Sequence, residues 1–293
     1  MKPGNNDKED IKSCMAGYIS VSLSLLDDSI VSDCTVHDVR LNMKRQRAAL
    51  RLLRSQINEK TFAREFFAAK QAGQLLRSWR ESAVFRATIV KLENDNKKLF
   101  RKLRKNERFQ NLMGKMPARN RLLPGQKKIV GEVRSELRRS LGRLRFINPG
   151  NTDINYLLPS LERSYAVAAE AYVRSRRKSA PKMIHAFRKR SKDLLYQLDF
   201  FRNLNRSRIT KIRKELEYMT GKLGKYFDLY QLKKSLGYNG RASAGDPEMN
   251  ELIIIIRGKQ DKYLRKVWPV AYRLFSPGCS LRKLLSLKWY KSV

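Results

Sequence analysis

Val36-His37-Asp38-Val39-Arg40-Leu41-Asn42-Met43-Lys44-Arg45-Gln46-Arg47 sets apolar residues three and four positions apart, with cations in the gaps. That is the spacing of an amphipathic helix. With His37 at zero and about 100° per residue, Arg40 falls at about 300°, Lys44 at about 340°, Arg47 at about 280°, Arg51 at about 320° and Arg54 at about 260°. These side chains and His37 share a face about 100° wide and about 25 Å long. Val39, Met43, Leu50, Leu53 and Ile57 fall on the other side, between about 160° and 240°. The helix is predicted to pack on its aliphatic side and to hold up a cationic ridge. A solvated helix face normally mixes signs, because oppositely charged neighbours at i,i+4 stabilise it. This arc carries no acid from its own helix, so it predicts an anionic partner.

The pattern returns further along. Ile184-His185-Ala186-Phe187-Arg188-Lys189-Arg190-Ser191-Lys192 repeats apolar-His-x-x-Arg-x-x-x-Lys at a distance of 148 residues. Arg188, Lys192 and Arg202 project with His185, while Phe187, Leu194, Leu198 and Phe201 turn to the core. Here Asp199 lies on the arc and Leu195 interrupts it, so the second row reads as the weaker one. Both motifs follow helix-start residues: Ser32, Asp33 and Thr35 before the first, Ser179 and Pro181 before the second. Each histidine sits on the cationic side, one turn before an arginine. As a neutral donor, or as a cation in mild acid, it suits a phosphate oxygen; a satisfied core histidine is the alternative.

Helical spacing continues over roughly 12–28, 34–57, 60–82, 84–112, 127–146, 157–176, 181–204, 206–236, 249–275 and 278–290, and alternating β-branched strands are not evident. The class is all-α. Breaks fall at 114–127, 146–160 and 237–250, where the prolines and glycines cluster. The middle break divides the chain into a helical set at 14–148 and another at 157–293, after a flexible N-terminus at 1–13.

The charge is spread as widely as the helices. The chain has 64 Lys and Arg against 27 Asp and Glu, a formal charge of +37; residues 1–150 carry +18 and residues 151–293 carry +19. Self-repulsion on this scale calls for a polyanion. Three cysteines, Cys14, Cys34 and Cys279, argue against a disulfide framework and for a reducing compartment, and two histidines leave no His- or Cys-rich metal site. No apolar run approaches a membrane span. Met15–Leu26, flanked by acids, reads as an ordinary helix with a cytoplasmic address.

These residues resemble the CHAD family, the conserved-histidine α-helical domain, which is known for binding inorganic polyphosphate. His37-x-x-Arg40-x-x-x-Lys44-Arg45-x-Arg47-x-x-Leu50 looks like its first motif, and Arg188 through Leu198 is similar to its second. Trp79-Arg80-Glu81-Ser82-Ala83-Val84 sits where the family has an Arg-Asp-aliphatic turn. Leu223-Gly224 with Asp228-Leu229 resembles its Leu-Gly-x-x-x-Asp-Leu element, and Arg273-Leu274-Phe275 through Trp289 its C-terminal helices. The resemblance implies two pseudo-symmetric antiparallel four-helix bundles, an internal repeat, around a basic central groove or pore. The chain departs from it at four places: Leu195 for an Arg, Gln46 for a Leu, Ala166-Val167-Ala168-Ala169 in a helix often studded with Arg, and Phe227 for a polar residue. The second half is therefore expected to bind more weakly.

The function expected is non-catalytic binding of long-chain polyphosphate, with targeting to polyphosphate granules. The candidate ligands are His37, Arg40, Lys44, Arg45, Arg47, Arg51 and Arg54, then His185, Arg188, Lys189, Lys192 and Arg202. No cofactor, metal or catalytic residue is expected. Nonspecific nucleic-acid binding is the first alternative, the default for so basic a chain, but no RNA-recognition motif, zinc finger or basic zipper occurs, and weak binding at low salt is what remains. The other alternative is an accessory subunit of an enzyme acting on polyphosphate or triphosphate. Its own Glu215-Leu216-Glu217-Tyr218-Met219 lacks the lysine of a triphosphate tunnel site, and Walker A, GxGxxG and HExxH patterns are missing.

Overall fold

The computed structural model describes residues 11–27, 31–114, 124–237 and 246–287. Among them are twelve α-helices, two short 3-10 turns and no strand, as the all-α reading expects. The helices are α1 (Ile11–Asp27), α2 (Asp33–Leu52), α3 (Glu59–Leu75), α4 (Arg77–Asp95), α5 (Lys97–Leu103), α6 (Glu107–Gly114) and α7 (Pro124–Leu144). After them come α8 (Ile154–Arg177), α9 (Pro181–Gln197), α10 (Arg206–Ser235), α11 (Pro247–Phe275) and α12 (Leu281–Leu285). Of the expected flexible stretch 1–13, residues 11–13 open α1, while residues 1–10, most of the breaks at 114–127 and 237–250, and positions 288–290 of the expected last helix, Trp289 included, lie outside the described residues.

Several boundaries differ from the periodicity, each for a local reason. The run 84–112 is not one helix. Asn96 donates its side-chain amide to the Leu92 carbonyl at 2.8 Å and ends α4, the competition with helix bonds that asparagine is prone to. Asn106 then accepts from the Phe109 N–H at 3.0 Å and starts α6. The runs 34–57 and 181–204 stop early, at Leu52 and Gln197, and finish as the 3-10 turns Leu53–Ser55 and Leu198–Phe201. Pro159, counted with the 146–160 break, lies inside α8 as its sixth residue, where it removes one bond of the helix ladder.

The chain packs as two compact units, each built from three stretches, so neither is a continuous segment such as 14–148 or 157–293. The first comprises Met1–Arg80, Leu122–Tyr165 and Asp193–Ile209. Within it α1 packs on α2, α2 on α3, α3 on α7 and α7 on α1. The α7 face that turns inward, Val130, Val133, Leu137, Ser140 and Leu144, keeps the three-and-four spacing. Val36, Val39, Met43, Leu50 and Leu53, from α2 and its 3-10 extension, are all buried as well.

One carboxylate in this core ties α3 to α7. Glu65, with no exposed side-chain surface, accepts from Ser140 Oγ at 2.7 Å and from Arg143 Nε at 2.6 Å and Nη2 at 3.2 Å. Arg64 donates a further bond at 3.0 Å. The hydrogen bond to Glu65 is the main reason the Arg143 guanidinium holds its proton even more firmly than usual.

The second unit comprises Glu81–Arg121, Ala166–Lys192 and Thr210–Val293. Its aliphatic core gathers Ile89 and Leu92 from α4, Leu99, Phe100 and Leu103 from α5, Leu229 and Leu232 from α10, and Leu252, Ile253 and Ile256 from α11. An aromatic cluster lies apart: Tyr172, Phe187, Trp268 and Phe275, with ring centroids 5.6 to 6.5 Å apart. No helix among the described residues is long and apolar enough to cross a membrane.

Candidate anion-binding site

The first cationic row begins at a well-made helix start. Ser32 accepts from the Thr35 N–H at 3.1 Å, so α2 opens one turn before His37. Trp79 donates its indole N–H to Asp33 at 2.8 Å, which fixes the start of α4 against the start of α2 and sets Arg80 near His37. His37 is exposed, with Arg40 and Lys44 half-buried beyond it. Desolvation holds the His37 pKa below its ordinary 6.5; Arg80 lowers it further, Lys44 and Arg40 add to this, and Asp38 opposes. The imidazole thus favours its neutral form, with Arg80, Lys44 and Arg40 close enough to act on it. Arg80 is absent from the residues that spacing selects, because nothing in the sequence links position 80 to position 37. Its only signal was the resemblance of Trp79-Arg80 to a family turn.

The remainder of the row is tied down more firmly than an open ridge would be. Arg40 donates to the Gly73 carbonyl on α3. Arg47 donates from Nε to the Met43 carbonyl at 3.3 Å, and its desolvation, more than the neighbouring Arg51, lowers its pKa. Arg51 lies over the Phe66 ring at 4.8 Å and Arg54 over Phe62 at 4.9 Å, on two rings themselves stacked at 5.4 Å. Arg45 turns aside to the Tyr18 ring, 5.9 Å away. The acid-free arc is a property of α2 alone. Asp193 of α9 reaches Arg51 at 3.2 Å, and Glu59 pairs with Arg54 at 3.1 Å. Helical geometry on one segment cannot see acids delivered by another.

The second motif is held by α10. His185 is half-buried and stacks on Phe227, with ring centroids 4.1 Å apart and 27° between planes. Arg188 donates from Nε to the Thr220 carbonyl at 3.3 Å. Lys189 is exposed and Lys192 half-buried. Beyond them the row stops, because Leu194, Leu195, Tyr196 and Leu198 are all buried. Arg202 was placed on this face by continuing the helix to 204. With α9 ending at Gln197, it sits past the 3-10 turn, pairs with Asp199 at 2.8 Å, and belongs to the first unit. His185, Arg188, Lys189 and Lys192 stay within the second unit.

No group of three or more histidine, cysteine or carboxylate side chains that could hold a metal ion occurs among the described residues. No curated protein and no solved structure matches the chain. The family model of the CHAD domain matches residues 26–236. That span takes in both His-x-x-Arg motifs, Trp79-Arg80 and Leu223-Gly224, and leaves out Arg273-Leu274-Phe275 and Trp289. A CHAD domain is typically non-catalytic. Matched over well more than half its length, the chain belongs to the CHAD domain family.

Proposed function

We propose that this protein binds inorganic polyphosphate, without chemistry of its own, through the cationic rows of α2 and α9, and that this binding targets it to polyphosphate granules. The observation that carries the reading is the surround of His37. An imidazole that favours its neutral form sits among Arg40, Lys44 and Arg80, with Asp38 opposing them. Such a group accepts an anion readily: the ring donates a hydrogen bond, and the cations it already feels supply the field. Polyphosphate brings about one negative charge per phosphate on a flexible chain, so arginines and lysines can bind it many at a time by charge-assisted bonds. The same reading gives supporting parts to Arg45, Arg47, Arg51 and Arg54 around the first histidine, to Lys189 and Lys192 around the second, and to Arg202 beyond them.

The overall charge of +37 favours a second reading, nonspecific RNA or DNA binding. Competition separates the two. Long-chain polyphosphate is expected to displace a fluorescent RNA at a far lower phosphate concentration than RNA needs to displace polyphosphate, with affinity falling steeply as salt rises, by analogy with counterion release from DNA. Equal displacement in both directions would overturn the proposal in favour of nucleic acid.

A further inference from the structure

The helix facing the second motif carries a matched set of contacts. Thr220, Gly224 and Phe227 are spaced four and three residues apart on α10, which at about 100° per residue puts them within about 60° of one another. Each serves one member of the His185–Arg188 pair. Phe227 takes the imidazole by stacking, and the Thr220 carbonyl takes the Arg188 Nε–H. Gly224 contributes by having no side chain. A Cβ built there would lie 3.1 Å from Arg188 Nη2, tighter than an ordinary van der Waals contact, and 3.4 Å from Nε, at its limit. The guanidinium thus lies against bare helix backbone. Gly221, three residues earlier on the same helix, meets nothing within 4 Å, so closeness to neighbours is not general to the glycines of α10.

We infer that Gly224 is a positioning residue for anion binding: the gap it leaves in α10 fixes the Arg188 guanidinium beside the Thr220 carbonyl, one helical turn from the stacked His185, so that the pair meets a phosphate already aligned. The inference rests on the polyphosphate reading for its ligand and on the α9–α10 geometry for everything else. An arginine holds this arrangement because its planar fork can give Nε to the backbone and still present other N–H groups. A lysine has one point charge and would lose the anchor.

The first unit offers a partial counterpart. Arg40, also three residues after its histidine, donates to the carbonyl of Gly73 on α3. A Cβ at Gly73 would have only the Met43 Cβ near it, at 3.8 Å. Of the two glycines that face these motif arginines, Gly224 alone has the tight fit.

The test compares Gly224→Ala with Gly221→Ala, each alone and in an Arg188→Ala background, by polyphosphate titration and by the side-chain Nε–H signal of Arg188 in nitrogen-15 spectra. Both alanines favour the helix equally, so a difference between them belongs to Arg188. Gly224→Ala is expected to weaken polyphosphate binding by about tenfold, the size of one misplaced charge-assisted hydrogen bond, with Gly221→Ala near wild type. In the Arg188→Ala background Gly224→Ala should change nothing further. The Arg188 Nε–H signal should persist in the wild type and Gly221→Ala and be lost in Gly224→Ala. Equal effects of the two alanines, or a Gly224→Ala loss that survives removal of Arg188, would overturn the inference. A wild-type protein that ignores polyphosphate would sink the ligand reading alone, and the Nε–H signal would then decide the positioning: loss in Gly224→Ala upholds it, retention overturns it.

Discussion

His37 and His185 head the same four-position motif, yet their surroundings are opposites. His37 is exposed at its surface, and desolvation first, then nearby arginines and a lysine, disfavour its proton. His185 is half-buried, and its ring lies flat on Phe227. The arginines differ too: Arg40 reaches a carbonyl on α3, while Arg188 is fitted against a glycine on α10. One motif is organised by charge and the other by packing. A spacing shared between two helices therefore fixes which residues meet a neighbour, and the neighbouring helix decides by what kind of force.

The largest effect that would separate the two regions is on stability. Glu65→Ala leaves Arg143 and Ser140 without their buried partner and is expected to cost about 3 kcal/mol, as removal of one member of a buried pair does. Hydrogen exchange should show the loss in α1, α2, α3 and α7, with amides of α10 and α11 still protected. Uniform loss would mean that the two units unfold as one.

Slightly smaller is the effect of charge on the first region. The double variant Lys44→Glu, Arg80→Glu should weaken polyphosphate binding by about 100-fold, or about 2.7 kcal/mol, and should raise the His37 pKa, because two cations that depress it are gone. Calorimetry and a proton NMR titration read the two outcomes. An unchanged His37 titration would show that packing, not charge, governs this site as well.

Phe227→Ala tests the opposite character of the second region. Loss of a half-buried ring and its stack is expected to cost about 2 kcal/mol, measured by urea denaturation, and to shift the His185 ring resonances towards those of an exposed histidine. If they do not move, the stack does not hold the ring.

The smallest effect is the pH dependence of the first region. The folded His37 pKa is depressed, so as pH falls below about 6.5 the unfolded chain takes a proton before the folded one does, and the free protein loses stability. A bound phosphate pulls the other way by raising that pKa, so binding should take up protons and tighten as pH falls. Calorimetry in two buffers of different ionisation heat measures the uptake, which His37→Gln should remove.

The helical class and the inward faces of α2 and α9 were legible in the sequence, because they depend on residues within about two turns of one another. Val39, Met43, Leu50, Phe187, Leu194 and Phe201 are buried as periodicity requires. What depends on a second segment was not legible. Asp193 facing Arg51, Arg80 beside His37, and the gap at Gly224 beneath Arg188 each arise where one helix crosses another. Arg202 shows the local limit of the method, since projecting an angle past residue 197 assumed a helix that had already ended.

Many acids of this lysine- and arginine-rich chain sit at joints. Glu65 binds α3 to α7, Asp193 meets Arg51, Asp27 of α1 holds Arg134 of α7, and Asp95 of α4 holds Lys259 of α11, whose hydrogen bond keeps that carboxyl below its usual range. Acidification consequently strikes twice. A proton that quenches Asp95 unfastens α4 from α11 and adds a unit of charge to a molecule already crowded with it. That joint should loosen as pH falls through the depressed Asp95 pKa, and a bound polyanion should offset the added charge.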